Sequence, residues 1–154
     1  MRTKKDNKSK YSNLKQNSAL ATNNEQYKTV QNNLAIVGIG ASAGGLEALE
    51  QFFKNTPEQN GMAFIVIQHL DPTHVGMMPE LIQRVTTMKV VQATDHLKVQ
   101  ANTVYVIPPN KSMSILKGSL YLFDPLEIRG LRLPIDFFFR SLAEDRLDKS
   151  IGII

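Results

Sequence analysis

Gly38-Ile39-Gly40-Ala41-Ser42-Ala43-Gly44-Gly45 sets one hydroxyl among glycine and alanine. An apolar run, Leu34 to Val37, leads in, and a helix-like run, Leu46 to Lys54, leads out. Small residues let a chain turn sharply between strand and helix. A serine on such a turn projects its oxygen away from the sheet, as a nucleophile requires. Gly40-x-Ser42-x-Gly44 fits the G-x-S-x-G elbow of serine hydrolases. Gly38-x-Gly40-x-x-Ala43 fits the glycine fingerprint of dinucleotide-binding domains. A third reading is plainer: Ser42 caps the following helix by accepting a backbone N–H bond.

The nucleophile reading needs a base, and His69 stands at the end of the next apolar run, Met62 to Ile67. Strand, helix and strand in so short a span form a βαβ unit with parallel strands. Ser42 and His69 then leave the sheet at the same rim, within reach of each other even with one strand between them. The dinucleotide reading wants an acid at the end of the second strand, where this chain has Gln68 and His69. His69, Asp71 and His74 form H-x-D-x-x-H, but Pro72 and the lack of a helical period favour a solvated loop over a zinc site. His96, beside Asp95, reads as part of a turn.

The elements that position these groups follow from apolar spacing. Leu46, Leu49, Phe52 and Phe53 share one face of an amphipathic helix. Pro79 to Arg84 is a short helix with Met78, Leu81, Ile82 and Val85 on one face. Val90-Val91 and Thr103 to Ile107 are further strands, and Met113 to Leu116 and Leu120 to Phe123 form a hairpin around Lys117-Gly118-Ser119. Gly130 to Pro134 is a loop. Ile135, Phe138, Phe139 and Leu142 mark a helix over 134–147, and a last strand begins at Ile151.

The net charge of +4 is unevenly placed. Residues 1–33 carry seven Lys/Arg and two acids, and residues 34–154 carry eleven and twelve. Residues 1–33 read as a disordered polar, basic tail, and residues 34–154 as a near-neutral folded body. A basic nucleic-acid-binding body is thereby disfavoured. The 154 residues include no cysteine, which excludes thiolate nucleophiles, disulfides and thiolate metal sites. No signal-like apolar region or membrane-length run is present, so the expectation is a cytoplasmic protein with no membrane insertion.

Gly40-Ala41-Ser42-Ala43-Gly44-Gly45-Leu46-Glu47-Ala48, followed by Val66-Ile67-Gln68-His69, resembles the catalytic domain of the CheB-type chemoreceptor protein-glutamate methylesterases. The likeness continues through Ala93-Thr94-Asp95, Val104 to Pro109 and Leu133 to Asp136, and covers about residues 34–154. The H-L-D-P-T-H loop points to the branch joined to a receptor methyltransferase. The resemblance implies a doubly wound parallel sheet in a three-layer αβα domain, without cofactor or metal. It implies hydrolysis of glutamate γ-methyl esters on chemoreceptor helices, releasing methanol, with glutamine deamidation beside it. By position Ser42 is the nucleophile, His69 the general base, and the Ala43 N–H an oxyanion donor. Many members carry a hydroxyl where this chain has Ala43. The family's triad Asp lies in a glycine-rich loop just after the strand that begins at Ile151. None of Asp71, Asp95, Asp124, Asp136, Asp145 or Asp148 matches it. The expectation is therefore a domain incomplete at its C-terminus and weak or inactive as it stands. The rival functions are a non-catalytic receptor-binding module and a dinucleotide-binding domain.

Overall fold

The computed structural model describes residues 33–42, 44–68, 77–125 and 133–154. Five parallel strands form the central sheet in the order β3-β5-β2-β1-β8. They are β1 (Ile36–Ala41), β2 (Ala63–Gln68), β3 (Lys89–Gln92), β5 (Thr103–Val106) and β8 (Ser150–Ile153). A second, antiparallel sheet has the order β4-β7-β6, from β4 (Leu97–Lys98), β6 (Ser112–Leu116) and β7 (Ser119–Phe123). Three α-helices, α1 (Leu46–Lys54), α2 (Met78–Gln83) and α3 (Pro134–Arg146), and a short 3-10 helix, Leu147–Lys149, complete the described elements.

Alternation along the buried strands divides the core in two. Val37, Ile39, Phe64, Val66, Val104 and Val106 face α1 and α2, meeting Leu49, Phe53, Met78 and Ile82. Ile36, Ile65, Ile67 and Tyr105 face the other way, against Met113, Ile115 and Leu120 of the small sheet and Phe138 and Leu142 of α3. The layers are thus helices on one face, and a helix plus a three-stranded sheet on the other. The expected αβα layering is modified there. The hairpin around Lys117-Gly118 lies on the central sheet as part of this second sheet, together with β4.

Helix α1 keeps the predicted boundaries and buries the predicted face. Phe52, Phe53 and Phe64 meet edge to face, with centroids 5.2–5.9 Å apart, which pins α1 to β2. Strand β1 runs further than its apolar signature, through Gly38 and Gly40 to Ala41. Neither glycine is in a turn. A Cβ on Gly38 would lie 2.9 Å from the Phe139 ring, and one on Gly40 would lie 2.6 Å from Ile135 Cγ2. Both are small because α3 lies directly on β1.

The chain runs from β1 to β2, outward to the edge at β3, back to β5, and then across to β8 on the far side of β1. The winding direction reverses between β1 and β8. Crevices at such reversals, beyond the carboxyl ends of the strands, are where open α/β sheets bind ligands.

Candidate active site

Ser42 is the first residue beyond β1, at the carboxyl end of the strand beside that reversal. It is exposed. It is not a helix cap: the N-cap of α1 is Gly45, and no side chain caps that helix. The capping reading is thereby removed. The Ser42 carbonyl instead closes the turn, accepting from Gly44 N at 2.9 Å and Gly45 N at 3.0 Å. Gly45 is tightly held, since a Cβ there would lie 2.8 Å from the Ala41 Cβ. A Cβ on Gly44 would meet nothing within 4 Å.

Strand β2 pairs directly with β1, with no strand between, in a register that sets Gln68 opposite Ala41. The Gln68 Nε2 donates to the Ser42 carbonyl at 3.4 Å, tying the end of β2 to the turn. Its Oε1 is buried with no hydrogen-bond partner among the described residues. Gln68 has no assigned role among the expectations from sequence. The available signal was a polar residue closing a fully apolar strand. His69 and Ala43, the candidate base and oxyanion donor, lie outside the described residues, as do Asp71 and His74. Among the described residues no group of three His, Asp or Glu side chains could hold a metal ion.

The described aspartates are engaged elsewhere. Asp95 accepts from Leu122 N at 3.0 Å, and its carboxylate stands 3.4 Å from His96 Nε2. The Leu122 N–H, more than the neighbouring His96, holds the Asp95 carboxyl below its usual range. His96 forms the expected turn, with a φ of 58° and its ring edge-on to Tyr121 at 4.8 Å. Asp124 pairs with Lys111 at 2.5 Å, and Asp136 with Arg140 at 3.0 Å. Asp145 is buried against Arg146 at 2.9 Å, and Asp148 lies 3.6 Å from Lys149.

The dinucleotide reading loses its glycines here. Gly38 and Gly40 serve the packing of α3 from within the strand, whereas the fingerprint needs them at the turn facing a pyrophosphate.

An α/β protein with a serine presented at the switch point of a parallel sheet is the class that fold and rim define. The chain belongs to the CheB methylesterase family, whose model it matches over residues 37–154. A relative in Leptospira interrogans (serogroup Icterohaemorrhagiae, serovar copenhageni) is 29% identical over 123 residues, covering 79% of this chain and 64% of that protein. The protein-glutamate methylesterase/protein-glutamine glutaminase of Rhizobium etli is 30% identical over 123 residues, covering 77% of this chain and 35% of its own length. The chain thus spans less than two thirds of the length of these relatives. The solved CheB methylesterase catalytic domain of Thermotoga maritima matches with a TM-score of 0.66 and 27% identity, over 77% of this chain and 65% of that one.

Proposed function

We propose that this chain is the Ser-His part of a hydrolase that cleaves glutamate γ-methyl esters on chemoreceptor cytoplasmic helices, releasing methanol, with glutamine deamidation as a companion reaction. The observation that carries the reading is the exposed, non-capping Ser42 at the tip of β1, directly beside the strand end that leads into His69. Ser42 attacks the ester carbonyl while His69 takes its proton. The Ala43 N–H helps hold the oxyanion. His69 then protonates departing methanol, and water releases the acyl group by the same proton path.

The engagement of the five described aspartates elsewhere supports a triad acid drawn from the glycine-rich loop that the family places after β8. Methylated receptor helices are the partner, a receptor methyltransferase domain is a candidate neighbour, and the setting is cytoplasmic. Among the described residues no helix is long and apolar enough to cross a membrane.

Methanol release from methylated receptor, measured with the protein as its own gene encodes it, tests the reading. Ser42→Ala and His69→Ala should each lower kcat by at least about 10³, as loss of a nucleophile or base does. Undiminished release by Ser42→Ala would overturn it.

A further inference from the structure

We propose that Gln68 is a positioning residue for the nucleophile turn, acting through the Ser42 carbonyl; this rests on the hydrolase reading above. Three donors converge on that carbonyl. Two are local, the amides of Gly44 and Gly45, and define the turn itself. The third, Gln68 Nε2, comes from the neighbouring strand and is the one cross-strand tie to the turn among the described residues.

The side chain is placed for that task by the sheet. Register sets Gln68 opposite Ala41, and alternation puts it on the α1 face, with Phe64 and Val66. Gln68 thus ends β2 beneath the chain that climbs from β1 into α1. Its Oε1 is buried without a partner among the described residues, although buried carboxamide oxygens are nearly always satisfied. The contact the carboxamide makes among the described residues is the one from its amide end. The amide holds the nucleophile's own peptide group against β2, at the residue that precedes His69. The turn that carries the serine is thereby referenced to the end of the strand that precedes His69 in sequence.

The donor is the testable element. Gln68→Met keeps the length of the side chain and removes the donor. Gln68→Glu removes it when ionised and restores an O–H donor when protonated. Amide hydrogen exchange of the full chain reads the turn without turnover. In Gln68→Met, protection at Gly44 and Gly45 should fall about fivefold or more, the loss expected for one hydrogen bond. Protection at Val66 and Val104, in the core of β2 and β5, should hold. In Gln68→Glu the Ser42 carbonyl carbon shift should differ from the native value at pH 8 and return toward it as the solution is acidified. Methyl-ester hydrolysis should lose kcat about tenfold with KM unchanged. Native protection at Gly44 and Gly45 in Gln68→Met, or an equal loss throughout β2 and β5, would overturn the positioning role. Undiminished hydrolysis by Ser42→Ala would overturn the hydrolase reading instead and leave the exchange result standing.

Discussion

At the scale of single residues, glycines that look alike in the motif do different work. Gly40 has no room for a methyl group because Ile135 occupies it, and Gly45 has none because Ala41 does. Gly44 has open space around it. Gly40→Ala and Gly45→Ala should therefore each destabilise the fold by about 1–3 kcal/mol, the usual cost of overpacking. Gly44→Ala should leave the urea midpoint nearly unchanged. Urea unfolding of the three variants checks this, and equal losses in all three would contradict the packing account. The sequence made Ser42 visible, since a lone hydroxyl among small residues between a strand and a helix is a local pattern. It could not rank the glycines, because the atoms that exclude a Cβ at Gly40 belong to a helix far along the chain. Gln68 was equally hidden, since its hydrogen bond depends on the register between two strands.

At the scale of elements, α3 organises the face opposite α1. Its N-terminal half packs on β1, and its C-terminal half clamps the β6–β7 hairpin. Asp145 accepts from the backbone N–H of Lys117 and from that of Gly118 at 3.0 Å, and it pairs with Arg146 in a nearly dry setting. Asp145→Ala strips the carboxylate from a buried guanidinium and from two turn amides. Leaving those amide donors unsatisfied should cost about 1–3 kcal/mol, read as a lower urea midpoint. A change under about 0.5 kcal/mol, the range of ordinary surface substitutions, would show that the clamp is unimportant. A second tie to this sheet is pH-dependent. Asp95 is held below its ordinary value of 3.8 chiefly by the Leu122 N–H. A lowered carboxyl stabilises the fold above that ordinary value and ceases to do so as pH falls through the lowered one. The stability gap between the native chain and Asp95→Asn should therefore be open at pH 6 and close as pH falls through the lowered value. A gap independent of pH would contradict this. The three helices were legible from apolar spacing, because each buries one face. Strand β4 was not, because two residues carry no period. The end of β1 was misplaced because Gly38 and Gly40 read as turn residues when taken alone.

For the molecule as a whole, the decisive feature is strand order. The sheet reverses its winding beside β1, and the chain places an exposed serine at that strand's tip. The βαβ reading from sequence foresaw that β1 and β2 run parallel. Their direct adjacency came from the fold, since pairing between non-local strands is settled by the packing of both faces. The second core face, with Tyr105 buried beneath the small sheet, has its own signature at high pH. Burial pushes the Tyr105 phenol above its ordinary value of 10.0. Stability should thus hold below pH 10 and decline as pH rises through the raised value, because the unfolded chain ionises first.

The central claim is that Ser42 is an activated nucleophile, and covalent trapping tests it most directly. The protein is treated with a fluorophosphonate, and the modified serine is located by mass spectrometry of its peptides. The account predicts stoichiometric modification at Ser42, strongly slowed in His69→Ala, with the other serines untouched. An unmodified Ser42, or labelling at the same rate with and without His69, would contradict it.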